Sequence, residues 1–382
     1  MQSFTSLRHA AGSWAASREG AAGGALLRRE DVMRALQVTR PGSAELAEVP
    51  APRPAAGEAL LRVRYAGICG SDVQVLRGTQ PFASYPRVPG HEFSAEIVEL
   101  GGRDHGSGDA PGNTAGFAVG DLVTGVPYIE DGTCYSCRRG LVNACVHNET
   151  MGVHRDGAFQ ELLTMPLDRL HRADGIDPRD LALVEPFSIG YHAVRRAAVG
   201  PGERVLVLGA GAIGLLTLLA ARLHGAEVWI ADIVPGRLEL AASLGAAGIA
   251  DLSTTTIQEL VGTATEGDGF DVICEATGLP VSFTNAIEAA AVGASLALIG
   301  NGTAEVTFNQ SVLIKKELTV VGSRNSRGVF PTLIELLETG EVEVSPVRTS
   351  VVPFTAATGA LQAAAAGSTA DVKVLLEFPP GP

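Results

Sequence analysis

The chain has 382 residues, 46% of them hydrophobic and 19% charged, which excludes disordered, collagenous and low-complexity classes and, at roughly 100–200 residues per domain, predicts two domains. Its 29 Lys and Arg against 42 Asp and Glu leave a net charge of −13, which opposes a broad nucleic-acid surface or an anionic membrane and leaves small molecules as the expected partners. Five cysteines, an odd number in a chain this long, make no disulfide framework and place the protein in a reducing cytoplasm.

Residues 1–32 are rich in Ala, Gly, Ser and Arg and lack an apolar core, so they read as a disordered extension rather than a secretory signal; Glu19, Glu30 and Asp31 fit a transit peptide poorly. A strand pattern begins near Met33. Ala59 to Tyr65 alternates apolar and basic residues, Phe93 to Leu100 repeats the period of two, and a further strand follows Asp121. Gly101 to Gly116 carries six glycines and no apolar pattern, the composition of a surface loop. Residues 33–187 are therefore expected to be rich in strands and turns.

After Glu185-Pro186 strands alternate with helices. Strands are expected at Val205–Leu208, Glu227–Ala231, Phe270–Cys274 and Ser295–Ile299, with helices at Ile213–Leu223, Pro235–Leu244 and Phe283–Ala291. That order predicts parallel βαβ units in a doubly wound α/β sheet. Val205 to Ala221 holds seventeen uncharged residues, but three glycines interrupt its first ten, so it is not read as a membrane span. From Val320 the pattern is mixed again and includes a helix at Pro331–Glu338.

Gly209-Ala-Gly211-Ala212-Ile213-Gly214 directly follows an apolar strand and opens a helix. The first glycine permits the tight turn, the second lets the backbone approach a pyrophosphate, and the third allows close helix–strand packing. The pyrophosphate would rest on the helix N-terminus. Asp232 ends the next strand, where its carboxylate is expected to accept the ribose hydroxyls and repel a 2′-phosphate. The expected cofactor is therefore NAD, with Arg237 nearby not cancelling that charge.

Two clusters have metal-binding chemistry. Cys69-Gly-Ser71-Asp72, His91-Glu92 and Glu185 supply a thiolate, an imidazole and carboxylates, a set suited to a catalytic zinc with an exchangeable position. Asp131-x2-Cys134-x2-Cys137-x7-Cys145 reads as a closed structural zinc lobe, with Glu130 and His147 as reserve ligands.

Taken together, Gly67-Ile-Cys-Gly-Ser-Asp72, Pro89-Gly-His-Glu92, Leu183-Val-Glu-Pro186 and Val207–Gly214 resemble the zinc-containing medium-chain dehydrogenase/reductase family. Within it the likeness is to the sorbitol, L-idonate, L-galactonate and threonine dehydrogenase branch, over residues 33–382. The resemblance implies a GroES-like β-barrel catalytic domain (33–187 and 323–382) interrupted by a Rossmann domain (188–322). It implies Cys69, His91 and Glu92 as zinc ligands, and Glu185 as either a further ligand or the holder of the zinc-bound water. Asp72 would fix the ring of His91, Ser71 would start a proton relay, and Arg324 would face the substrate.

The implied reaction is reversible, NAD-linked oxidation of a secondary alcohol of a polyol or sugar acid through a zinc alkoxide and hydride transfer, in a homodimer or homotetramer. A threonine-type or short-chain alcohol dehydrogenase is the alternative, and a non-catalytic NAD-binding regulator the distant one. This chain departs from the family in having Asp131 where the lobe usually opens with cysteine, and Gln74 where many relatives carry a relay histidine. Gly152–Gly157 resembles the corresponding segment of bacterial L-galactonate and L-idonate dehydrogenases; the plain reading of the same residues is a hairpin turn that leaves His154 and Arg155 in solvent.

Overall fold

The computed structural model describes residues 32–102, 116–367 and 371–380, so the expected extension up to residue 31 and most of the glycine-rich loop lie outside the described residues. The first half is built from strands: β1 (Val32–Arg40), β2 (Ser43–Pro50), β3 (Glu58–Gly67), β4 (Glu92–Leu100), β5 (Leu122–Gly125), β6 (Tyr128–Ile129), β7 (Glu149–Thr150), β8 (Leu162–Pro166) and β9 (Leu170–Arg172). Helices α1 (Gly70–Arg77), α2 (Tyr135–Arg138) and α3 (Pro178–Leu181) interrupt them. α4 (Val184–Ala197) then leads into β10 (Arg204–Leu208), α5 (Ala212–Leu223), β11 (Glu227–Asp232), α6 (Pro235–Ser243), β12 (Gly248–Asp251), α7 (Ile257–Thr265), β13 (Phe270–Glu275), α8 (Pro280–Ala289), β14 (Ala290–Leu298), α9 (Gln310–Lys315) and β15 (Thr319–Gly322). α10 (Phe330–Glu338), β16 (Ser350–Pro353), α11 (Ala357–Ala365) and β17 (Val374–Glu377) complete the chain.

The six strands β10 to β15 form one parallel sheet in the order β12-β11-β10-β13-β14-β15. This is the doubly wound order in which the strand sequence reverses beside the first strand, here between β10 and β13, and a crevice opens at the carboxyl ends. Its central strands β10 and β13 are apolar because both of their faces are covered. Val205 and Val207 of β10 pack with α4 and α5, while Leu206 and Leu208 face α7 and α8.

The second sheet joins distant parts of the chain, in the order β16-β17-β3-β4-β5-β9 with β8 also paired to β3. β17 lies antiparallel to β3, with Leu375 opposite Gly67, so the C-terminal strands complete a sheet begun near the N-terminus. Residues 329–347 belong by packing to the first sheet's helices, since Val329, Phe330, Leu333 and Val347 share a core with α4 and α5.

Two element boundaries differ from expectation. α4 opens where a domain break was expected; Pro186 is accommodated because a helix's first-turn N–H groups need no intrahelical partner. The helix expected to reach Ala291 stops at Ala289, and the chain passes straight into β14, whose Ala290 pairs with Phe270. No helix among the described residues is long and apolar enough to cross a membrane.

Candidate active site and metal centres

Asp72 organises the first cluster. Completely buried in the first turn of α1, it accepts the Cys69 N–H on Oδ2 at 2.8 Å and the Gly90 N–H on Oδ1 at 2.9 Å. One carboxylate thereby pins the residue before α1 to the turn before β4, which brings Cys69 against His91 and Glu92. The ligand atoms of these three lie within 4.8 Å of one another. The ring Nδ1 of His91 is 3.7 Å from Asp72 Oδ1, too far for a hydrogen bond. Asp72 thus sets the position of His91 through the backbone and leaves Nδ1 buried without a protein partner.

Two partners come from far along the chain. Lys373, 3% exposed, places Nζ 2.7 Å from both oxygens of Glu92 and 3.1 Å from the Ile68 carbonyl. Tyr128, buried in β6, donates its hydroxyl to Glu185 Oε1. Glu185 itself stands in the first turn of α4, outside the three-residue group but close enough to feel its charges. Burial, opposed by His91, pushes its carboxyl up to about 7.

Burial by itself lowers the His91 pKa. The Cys69 thiol, Asp72 and Glu185 outweigh it and hold the imidazole well above its usual value. The buried carboxylates of Glu92 and Glu185, the His91 imidazole and the Cys69 thiol are the donor types that a divalent zinc takes. Ser71 Oγ is buried with no protein partner, and Gln74 Oε1 is turned to Gln80 Nε2 at 3.4 Å, so no relay beyond Ser71 is formed by Gln74.

In the second cluster Cys134 caps the four-residue helix α2, and the Cys134 sulfur lies 3.5 Å from that of Cys137 and 3.7 Å from that of Cys145. Tetrahedral zinc with sulfur at 2.3 Å requires an edge of about 3.8 Å, so these thiols already sit close to a metal-bearing arrangement. Asp131 completes the group. Its Oδ1 accepts the Thr133 and Cys134 N–H groups at 2.8 and 2.9 Å, and Oδ2 meets His147 Nδ1 at 2.5 Å. These bonds hold its carboxyl well below the ordinary range. Hydrogen bonding from the backbone lowers Cys134 to about 7, whereas burial raises Cys137 to about 12. His147 thus partners Asp131, while Glu130 is taken by Arg169 at 2.6 and 2.9 Å.

The glycine motif forms the turn between β10 and α5. Gly209 has φ +100°, and a Cβ at Gly214 would fall 1.8 Å from the Gly209 carbonyl oxygen, so the third glycine lets the helix lie against its own strand. Nothing lies within 4 Å of a Cβ built at Gly211, which leaves space where a diphosphate would approach. Asp232 accepts Ala210 N–H on Oδ2 at 2.6 Å and the Ile233 and Val234 N–H groups on Oδ1, so it also braces the turn. Arg237 is partly buried in α6 with its Nε unpartnered, and Ala212 and Ile213 are partly exposed at the start of α5.

Gly152–Gly157 is not a turn projecting into solvent. A Cβ at Gly157 would meet the Gly90 oxygen at 2.0 Å, so the segment packs directly on the residue before His91. His154 is half-buried, stacked on Phe82 with ring centres 5.3 Å apart, and feels the charge of Arg324. Arg324 is exposed on the loop after β15. Lys373 and Tyr128 carried no motif; the only sign of Lys373 was a lysine set between Val372 and Val374 in the last apolar run.

A family model for the alcohol dehydrogenase GroES-like domain matches residues 55–175, and one for zinc-binding dehydrogenases matches residues 212–339. L-galactonate-5-dehydrogenase of Escherichia coli K12 is 37% identical over 304 residues, covering 79% of this chain and 86% of that protein. The chain belongs to the zinc-binding dehydrogenase family. As a zinc-binding dehydrogenase, it is an enzyme whose cofactors are zinc and NAD. Sorbitol dehydrogenase of Halalkalibacterium halodurans is 35% identical, covering 77% of this chain and 85% of that one. Among solved structures, an alcohol dehydrogenase of E. coli CFT073 complexed with NADH superposes with a TM-score of 0.83 at 30% identity, over 91% of this chain and 100% of that one.

Proposed function

We propose that this dehydrogenase oxidises a secondary hydroxyl of a polyol or sugar acid to the ketone, reversibly, with NAD as hydride acceptor. The observation that carries the reading is the gathering of Cys69, His91 and Glu92 beside buried Glu185, in a chain similar to enzymes named for L-galactonate and sorbitol. In this reading Cys69, His91 and Glu92 hold the catalytic zinc, and Glu185, retained by Tyr128, faces the exchangeable position. Bound zinc supplies the positive charge that brings a hydroxyl's pKa toward neutrality.

The chain's own residues do the rest. Asp72 sets the ligand spacing, Lys373 balances Glu92, and Ser71 relays the released proton, giving up its own hydroxyl proton to water as it accepts the substrate's. Gly209, Gly211, Ala212, Ile213 and Gly214 seat the diphosphate, with Asp232 and Arg237 beside the ribose. Arg324, with His154 across from it, meets the distal hydroxyls or carboxylate of the substrate; a guanidinium binds a carboxylate with two parallel hydrogen bonds. Asp131, Cys134, Cys137 and Cys145 hold a second, structural zinc.

In this reading the catalytic part is 33–187 with the returning strands β16 and β17, the dinucleotide part is 188–322 with residues 329–347 packed on it, and the reaction lies between the two sheets. A cytoplasmic homodimer or homotetramer is the assembly this reading carries. Cys69→Ser tests the catalytic assignment: turnover should vanish while NAD binding, measured by fluorescence titration, persists. Retained turnover removes Cys69 from the site.

A further inference from the structure

The metal lobe and the loop that carries Arg324 are joined by side chains that the chemistry above does not use. Asn143 sits in the 3-10 turn Val142–Ala144, between Cys137 and Cys145, and is 8% exposed. Its Nδ2 donates to the Arg324 carbonyl at 2.8 Å and lies 3.4 Å from His192 Nε2 on α4. Burial and the nearby arginines push His192 down to about 4, so its ring is neutral and can accept the second Nδ2 hydrogen. Three residues beyond Arg324, Arg327 reaches the lobe from the other direction, donating to the Gly140 carbonyl at 2.7 Å.

Between these ties Asn325 is held at φ +48°, a left-handed conformation that asparagine tolerates and that persists where its surroundings enforce it. Ser326 is anchored to Ser188 at 2.8 Å, and Ser188 also lies 2.6 Å from the Glu185 carbonyl. Both lobe contacts, Gly140 and Asn143, therefore lie in the segment whose ends are the Cys137 and Cys145 thiols.

We propose that the lobe is a positioning element for the substrate: Asn143 fixes the main chain at the Arg324 carbonyl and Arg327 fixes it three residues further on, so the geometry imposed on Cys137 and Cys145 is passed to the guanidinium. Asn143 is thus a positioning residue rather than a catalytic one. The inference rests on Arg324 as a substrate contact.

The test uses the zinc-loaded enzyme with NAD and either L-galactonate or sorbitol, whichever it oxidises faster. Asn143→Ala, and separately Arg327→Met should the first variant fold poorly, should raise the substrate KM roughly 5- to 10-fold, the effect of one lost positioning hydrogen bond. The kcat should stay within about twofold, and zinc content and the KM for NAD should not change. In the Arg324→Ala background, Asn143→Ala should add no further increase, because it acts through that side chain. Amide hydrogen exchange over residues 322–328 should quicken in Asn143→Ala, and in the unaltered chain when a chelator empties the lobe. Additive KM effects, or unchanged exchange over 322–328, would overturn the proposal. If Arg324→Ala leaves KM unchanged, Arg324 is no substrate contact and the proposal loses its target, while the exchange measurement still decides whether lobe and loop are tied.

Discussion

Lys373→Met strips Glu92 of the ammonium that meets both of its oxygens at 2.7 Å, in a place where Glu92 is 0% and Lys373 3% exposed. Methionine keeps most of the apolar stem, so the packing loss is small and the cost is a buried carboxylate left alone. Breaking a buried pair from one side costs about 3–5 kcal/mol, and the Ile68 carbonyl, 3.1 Å from Nζ, loses a donor worth about 1 kcal/mol more. At roughly 2–4 °C per kcal/mol the melting point of the metal-free chain should fall by roughly 8–24 °C.

Adding Glu92→Gln to the same chain removes the stranded charge and should restore about 2 kcal/mol or more. Urea unfolding of the single and double variants, with and without zinc, measures both effects. A loss below about 1 kcal/mol for Lys373→Met, or a double variant no more stable than the single one, would refute the ion-pair reasoning.

Asp131→Ala should lower bound zinc by about one per chain, measured by metal analysis, and leaves the Thr133 and Cys134 N–H groups without their carboxylate partner. Gly214→Ala drives a methyl against the Gly209 oxygen at 1.8 Å, so NAD affinity should fall at least roughly tenfold and stability by about 1–3 kcal/mol. Asp232→Ser removes the carboxylate and should cut the kcat/KM preference for NAD over NADP by roughly tenfold or more; an unchanged ratio removes Asp232 from cofactor selection.

Glu185 is raised from 4.5 to about 7 by burial in the metal-free chain. Its stabilising contribution is therefore present below pH 4.5 and is lost as pH rises through about 7. Glu185→Gln should flatten that dependence by an amount on the order of 2–3 kcal/mol in denaturant titrations across the interval. The same slope in both proteins contradicts it.

Local features were the legible ones. Gly209–Gly214 acts through its own backbone, and β10 and α5 lie on either side of it as the apolar run predicts. Cys69, His91 and Glu92 could be grouped from chemistry because two of the three are adjacent in sequence and their donor types are specific. What stayed hidden was long-range. Lys373 meets Glu92 across 281 residues and Tyr128 meets Glu185 across 57, and nothing in the sequence around either residue announces a partner. α7 was missed even though Thr256 and Glu259 form a capping box and Ile257, Leu260, Val261 and Ala264 recur at helical spacing. The hydrogen bonds of Asp72 also differ from the expected arrangement, since two backbone N–H groups, not the His91 ring, occupy its oxygens.

The central claim is tested most directly by NADH formation in a zinc-replete preparation offered L-galactonate, L-idonate, sorbitol, other polyols and L-threonine. The expected result is saturable NAD reduction with a polyol or sugar acid, yielding the ketone and lost in Cys69→Ser. An NAD-binding, zinc-replete protein that turns over none of them, or only L-threonine, would contradict it.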